Sequence, residues 1–314
     1  MQYYVAPLEG ITDSIYRRLH HKYFPGADRY YTPFFSPTVH RALTPRESRE
    51  LPPADQLDVT VIPQLLTKVS QDFIWMAGIC KDLGYEEVNL NLGCPSGTVT
   101  AKGKGAGMLR QTDTLEEFLD AIFADSPLPV SIKTRLGFEQ PEEFYQILEL
   151  FNRYPVAELT VHPRIRRDFY NDPIRMAYFD YAVQNARMKL CYNGNLCTKD
   201  QLDSFSRDYP DIPAVMLGRA LIADPGMLTP GGTTAHKLEG FLSELLEEYT
   251  AAFGGSRNAM FRLKENWRYL FCLFEPDEKL QKQLRKTTDV QQYKAITGQI
   301  LHNLPMRQQL QPDW

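Results

Sequence analysis

Residues 87–124 read EVNLNLGCPSGTVTAKGKGAGMLRQTDTLEEFLDAIFA and contain one complete structural unit. The run 87–91 has the length and alternation of a short strand. A glycine-rich loop follows, and 114–124 carries the apolar spacing of an amphipathic helix. The same unit recurs on both sides. Strands are expected at 3–6, 29–32, 59–64, 87–91, 130–134, 158–162, 189–193 and 214–217, eight in all. Helices are expected at 12–24, with Thr12 as N-cap, and at 70–83, from Ser70 to the terminator Gly84. Others fall at 114–124, 142–153, 174–185 and 198–207. The polar, Pro-rich stretch between Thr32 and Asp58 predicts a short or irregular crossover. Apolar strands alternating with helices imply a parallel sheet covered by helices. An open doubly wound sheet competes, but eight such units favour closure into a (β/α)8 TIM barrel.

The alternation stops after Pro230-Gly231-Gly232. Residues 238–253, 256–274, 277–285 and 289–303 all read as helices, punctuated by Gly254-Gly255 and Pro276. The expected organisation is α/β: a barrel over 1–235 and a small all-helical C-terminal domain over 236–314.

Of the 314 residues, 43% are apolar and 24% charged, ordinary for a globular chain with a large core. No apolar run approaches the roughly 20 residues that span a bilayer. The N-terminus lacks a basic-then-apolar leader, and the five cysteines show no framework spacing. A cytoplasmic, reduced setting without membrane attachment is expected. The net charge is −4, yet residues 257–314 carry ten Lys or Arg against six Asp or Glu, and the rest 25 against 33. A basic tail of +4 on an acidic body of −8 points to a polyanionic partner for the tail.

Nearly every strand ends in a polar or special residue: Ala6-Pro7, Gln64, Asn89 and Asn91, Lys133 and Arg135, His162, Asn193-Gly194-Asn195, Gly218-Arg219. In a barrel these ends converge on one face, where chemistry sits. The glycines after the last two strands admit backbone N–H groups close to a phosphate, and Arg219 opens a helix aimed at the same place. Lys133, among apolar neighbours, needs an anionic partner or a depressed pKa, and fits either a Schiff-base lysine or a cation beside an anionic cofactor. Cys94 follows a strand and a glycine and precedes Pro95. Gly103, Gly105 and Gly107 after it suggest a mobile segment. A thiol so placed is an acid, nucleophile or metal ligand, and the absence of a second Cys or paired His at ligand spacing argues against metal.

These motifs, in this order, resemble the tRNA-dihydrouridine synthases. Residues 6–13, APLEGITD, resemble the family's flavin-binding start. Residues 89–96, NLNLGCPS, look like its catalytic loop. KTRLG at 133–137, His162 with Arg164 and Tyr170, NGN at 193–195 and GRA at 218–220 follow. FRLKE at 261–265 resembles its helical RNA-binding domain. The resemblance implies FMN in the barrel mouth, with Pro7, Leu8, Glu9 and Gln64 near the isoalloxazine ring and Lys133 at its N1/O2 edge. His162, Asn193, Gly194, Asn195, Gly218 and Arg219 would surround the ribityl phosphate. NADPH would supply hydride, and Cys94 would protonate C5 of a tRNA uridine. Asn91 would meet the uracil edge, Arg135, Arg164 and Tyr170 the nucleotide, and Arg262 and Lys264 the RNA phosphates. The pattern departs from the family at Leu8, Gly97, Ile165 and Asn195. The competing readings are a flavin barrel reducing a small molecule or ribosomal RNA, a non-catalytic RNA-binding barrel, and an aldolase built on Lys133. A monomer is the expected state.

Overall fold

The computed structural model describes residues 1–37, 41–168 and 172–312. The chain divides into two compact units, one made of residues 1–7, 28–195 and 206–216, the other of 8–27, 196–205 and 217–314. The first carries the sheet. Its strands are β1 (Gln2–Val5), β2 (Arg29–Tyr31), β3 (Thr60–Ile62), β4 (Gln64–Leu65), β5 (Val88–Leu92), β6 (Val130–Arg135), β7 (Glu158–His162), β8 (Lys189–Tyr192) and β9 (Ala214–Leu217). Their order in space is β3-β2-β1-β9-β8-β7-β6-β5-β4. The two ends of that list, β3 and β4, adjoin through Pro63. The strand expected at 59–64 is thus one stave interrupted where proline offers no N–H. The carbonyl of Pro63 still accepts from the Asn89 N–H at 2.8 Å. β3 pairs with β2 and β4 with β5, so the sheet closes into an eight-stave parallel barrel.

The helices are α1 (Ser14–Tyr23), α2 (Pro45–Glu50), α3 (Ser70–Asp82), α4 (Gly97–Thr100), α5 (Thr112–Asp125), α6 (Glu143–Phe151), α7 (Met176–Asn185), α8 (Lys199–Asp208), α9 (Arg219–Ala223), α10 (Ala235–Ala252), α11 (Ser256–Leu270), α12 (Glu278–Lys286) and α13 (Val290–Asn303). The expected short crossover is α2, held by a Thr44/Glu47 capping box. α3 stops at Gly84, whose φ of 85° suits a residue without Cβ. One cap differs from expectation. Thr12 Oγ1 is occupied by the Leu8 N–H at 2.8 Å, so Asp13 caps α1 instead, accepting from the Tyr16 N–H at 2.9 Å. α3 begins at Ser70 as expected, with Val69 in the cap position and no side-chain bond.

Because strand side chains alternate, residues two apart share a face. The register places Asn91, Lys133, Thr160, Cys191 and Ala214 opposite one another in successive strands. Cys191 and Ala214 belong to the buried cluster with Tyr4, Tyr31, Ile62 and Met216, so this whole row faces the barrel interior. One step toward the strands' C-terminal ends lie Arg135 and His162, in register with each other. At the opposite end sits Glu158, buried, with Oε2 accepting from the Tyr4 hydroxyl at 3.1 Å and Oε1 meeting no donor. A cavity of about 710 Å³ opens there, lined by Glu158, Glu87, Arg29 and Lys189 among others.

In the second unit α1 packs with α10, α11, α12 and α13 around Phe24, Phe241, Leu263, Trp267 and Ile300. Trp267 Nε1 donates to the Tyr293 hydroxyl at 3.0 Å. Asp13 is the polar hub. Besides capping α1 it accepts from the Tyr249 hydroxyl at 3.0 Å and pairs with Arg262 at 3.0 Å. Among the described residues no helix is long and apolar enough to cross a membrane.

Two outcomes follow from these buried charges. Asp13→Ala removes a cap and strands a half-buried guanidinium, and should cost about 3 kcal/mol in urea unfolding. Burial raises the Glu158 carboxyl, so the folded chain holds that proton more tightly than the unfolded one. Its contribution to stability is present below the ordinary carboxylate range and is lost as pH rises through the raised folded value. The melting temperature of Glu158→Gln relative to the parent should therefore climb from pH 4 to pH 7. A flat difference would contradict the assignment.

Candidate active site at the barrel mouth

The row of inward polar residues continues into the loop after β5. Asn91 Oδ1 accepts from the backbone N–H groups of Gly93 at 3.1 Å and Cys94 at 2.9 Å. Its Nδ2 donates to Gln64 Oε1 at 2.7 Å. Gln64 Nε2 in turn donates to Asn89 Oδ1 at 2.8 Å, and Asn89 Nδ2 to Ser131 Oγ at 2.9 Å. The Gln64 N–H is itself taken by Thr32 Oγ1 at 2.9 Å. All these side chains are buried, as uncharged polar groups can be when each finds a partner.

Cys94 is half-buried and, like the other four cysteines, a free thiol. The glycines after it do not leave the segment loose. α4 and a 3₁₀ turn at Gly105–Arg110 fold it back, and the Ala106 N–H donates to the Cys94 carbonyl at 3.1 Å. Gly105 has φ of 58°, and a Cβ there would stand 3.0 Å from Cys94 Cβ. A Cβ on Gly107 would stand 2.9 Å from the Thr100 carbonyl. These glycines are therefore sites of close approach around the thiol. A Cβ on Gly93 would meet the Lys133 carbonyl only at an ordinary contact distance of 3.5 Å.

Lys133 is half-buried on the inward face of β6. Burial, with the like charge of Arg135 next, pulls its ammonium down to about 8, and the neighbouring Cys191 and Cys94 oppose this more weakly. No carboxylate is among the groups acting on it. A cation in this position suits an electron-rich ligand atom.

The remaining sequence-derived residues separate into several groups. Arg164 is 1% exposed, and its Nη1 lies 3.1 Å from His162 Nε2 and 3.3 Å from Asn195 Oδ1. Its Nε donates to the Asp172 carbonyl at 2.8 Å. A guanidinium can only donate, so His162 Nε2 is the acceptor and the ring proton sits on Nδ1. Arg135 is also buried, donating to the carbonyls of Ile165 at 2.7 Å and Asp168 at 3.2 Å. Both guanidiniums thus bind backbone of the segment after β7, which the Asp168–Arg175 pair also ties together. Asn193 Nδ2 donates to the Met216 carbonyl at 2.7 Å, and a Cβ on Gly194 would strike the Tyr192 hydroxyl at 2.8 Å. Pro7 ends the first segment of the barrel unit, whereas Leu8, Glu9, Gly218 and Arg219 are counted with the helical unit. Tyr170 lies outside the described residues.

In the helical unit, Arg262 is committed to Asp13, and Lys264 Nζ donates to the carbonyls of Arg285 at 2.6 Å and Thr287 at 2.9 Å, closing the end of α12. Arg262 and Lys264 thus both have internal partners. Arg257 and Arg268 on the same helix are exposed, and between them Phe261 is 41% exposed. The Arg257 guanidinium lies 5.7 Å and the Lys264 ammonium 5.2 Å from the Phe261 ring. Sequence reasoning passed over Arg257 and the exposed face of Phe261, as it did Ser131 and Thr32. The signal of the first pair was an aromatic at helical spacing from arginines; that of the second was a hydroxyl at period two within an apolar strand. Among the described residues no cluster of three or more His, Cys, Asp or Glu is arranged to hold a metal.

A closed parallel barrel whose strand ends gather a thiol, a cation and buried amides has the build of a barrel enzyme. Solved structures with this fold include morphinone reductase, at 15% identity and TM-score 0.51 over 72% of this chain and 84% of that one. Histamine dehydrogenase from Rhizobium sp. aligns at 10% identity and TM-score 0.55, over 85% of this chain and 49% of that one. Sequence places the chain more narrowly. Residues 4–296 match the dihydrouridine synthase (Dus) family, and the chain belongs to it. The probable tRNA-dihydrouridine synthase 1 of Synechocystis is 28% identical over 198 residues, 61% of this chain and 53% of that protein. tRNA-dihydrouridine synthase B of Proteus vulgaris is 28% identical over 222 residues, 70% of this chain and 67% of that protein. The match to the Synechocystis protein thus spans about half of its length.

Proposed function

We propose that this protein reduces a uridine of tRNA to 5,6-dihydrouridine, drawing electrons from NADPH. The observation that carries the reading is Cys94, held by Asn91 at the barrel mouth next to Lys133 in a chain of the Dus family. FMN suits this site, because Lys133 is an inward cation whose strongest electrostatic neighbours among the described residues include no carboxylate. Bound there, FMN would supply the hydride chemistry that carries two electrons from NADPH to C6 of the base. Pro7, Leu8, Glu9 and Gln64 would border its ring system, and His162, Asn193, Gly194, Asn195, Gly218 and Arg219 its phosphate. The assignments of Leu8, Glu9, Gly218 and Arg219 rest on the family likeness alone.

The chain's own chemistry is a proton transfer. Cys94 gives its thiol proton to C5 while C6 gains hydride, and the thiolate recovers a proton from solvent. One NADPH and one proton are consumed for each uridine reduced. A target base must leave its stack to reach a thiol at a barrel mouth. Asn91 commits Oδ1 to the loop backbone, so only an Nδ2 hydrogen is left for the base, and it meets a carbonyl oxygen. Arg135 and Arg164 hold the backbone at Ile165, Asp168 and Asp172 after β7, and the assignment of Tyr170 to the nucleotide rests on the family likeness alone. Lys68 and Lys102 both act electrostatically on Lys104, with Asp72 opposing them, and these lysines would offer positive charge to the RNA backbone. Arg262 and Lys264 build the helical framework on which Arg257, Phe261 and Arg268 meet RNA. Phe261 offers a face to an unstacked base.

The purified protein should show a flavin absorption spectrum and, with NADPH, convert uridine to dihydrouridine in unmodified tRNA. Cys94→Ala should lower that conversion about 100-fold or more and leave flavin reduction by NADPH intact. A colourless protein that FMN does not reconstitute would sink the reading, and flavin without an RNA product would redirect it to small molecules or ribosomal RNA. Arg257→Glu with Arg268→Glu should raise KM for tRNA about tenfold and flatten its salt dependence, with flavin reduction by NADPH unchanged.

A further inference from the structure

We infer that Ser131 and Asn89 are positioning residues for Cys94, acting through a one-directional chain of buried amides. The chain's direction follows from chemistry alone. The backbone N–H groups of Gly93 and Cys94 can only donate, so Asn91 must turn Oδ1 toward them. That leaves Asn91 Nδ2 facing Gln64, which must answer with Oε1. Gln64 then presents Nε2 to Asn89, which must answer with Oδ1 and pass Nδ2 to Ser131 Oγ. Every amide orientation is thereby set from the reactive loop down to a hydroxyl inside the barrel wall. Reversing one amide would set donor against donor or acceptor against acceptor at both of its contacts, in a site closed to water.

The four side chains come from β4, β5 and β6, so the relay also ties three adjacent staves to the loop. Asn89 and Ser131 are 0% and 1% exposed. They sit below the row that holds Asn91 and Lys133, one inward position nearer the strands' N-terminal ends. Ser131 Oγ is the terminal acceptor. Removing it leaves Asn89 Nδ2 without that bond, frees Asn89 to turn, and weakens the contact that fixes Gln64 and hence Asn91. The expected consequence is a loosened Cys94 N–H and a misplaced thiol. The catalytic meaning of that placement rests on the proposed uridine reduction; the mechanical coupling does not.

The test therefore reads Cys94 directly. In the purified protein, alkylation of Cys94 by iodoacetamide, followed by peptide mass spectrometry, should quicken about fivefold in Ser131→Ala, the factor of one net hydrogen bond. Ser131→Thr should restore the parent rate. Uridine reduction should fall in kcat, through the misplaced thiol and the loosened Asn91 contact to the base, while KM for tRNA, set by the helical face of Arg257, Phe261 and Arg268, should change little. Should Ser131→Ala fail to fold, the unaltered protein still decides: the Gly93 and Cys94 amides should exchange with deuterium about 100-fold slower than unprotected loop amides. Unprotected exchange at both amides would overturn the relay, as would parent-like Cys94 alkylation in folded Ser131→Ala and Asn89→Ala. Coupled alkylation in a protein that reduces no uridine would support the relay while removing the proposed reaction.

Discussion

An amide buried in a closed barrel has no water to correct a wrong orientation, and the site depends on that constraint. Asn91 bridges two kinds of structure: it stands in a strand of the wall, yet its Oδ1 holds the backbone of the loop that carries Cys94. The loop therefore inherits the rigidity of the sheet. Glycines complete the arrangement, since a Cβ on Gly105 would stand only 3.0 Å from the Cys94 Cβ. A segment whose composition suggests freedom is instead folded tightly around one sulfur.

The two ends of the barrel treat polar groups differently. Near the strands' C-terminal ends, neutral amides are chained and Lys133 is left with a proton affinity lowered by burial and by Arg135, a state that favours an electron-rich ligand. At the other end Glu158 is buried against Tyr4 and raised in pKa, while Arg29 pairs with Glu87 and rests on the Tyr4 ring. In barrels the former end carries chemistry and the latter stability. The distribution of partnered and unpartnered charge here follows the same division.

In the helical unit one carboxylate organises three elements. Asp13 caps α1 and binds α10 through Tyr249 and α11 through Arg262. Arg262 is thereby drawn inward, and Lys264 turns to the carbonyls that end α12. A helix rich in basic residues thus divides them between framework and surface, and what remains outside is Arg257, Arg268 and the face of Phe261. Composition reports only the sum of charges, which is why the tail's excess of +4 identifies a partner class without naming the contacts.

Much of the fold was legible because it is written in local periodicity. Eight apolar runs with helical stretches between them give a barrel, and period-two spacing of Asn89 with Asn91 and of Lys133 with Arg135 marks their shared inward face. The break at Pro63, the cap at Asp13 and the stripe at Phe261 were written there too, but in signals too short to outweigh their neighbours. Cys94 and Lys133 stood out because their residue types are rare at strand ends. What the sequence by itself determined was therefore the architecture, the family and which polar residues stand at the strand ends. Tertiary structure alone decided how they are held: Gln64, Asn89, Asn91 and Ser131 are up to 67 residues apart, and Asp13 and Arg262 are 249 apart. Hydrogen bonds and ion pairs between such distant residues leave no local pattern, since each depends on where the closed barrel or the helix bundle brings the chain back to itself.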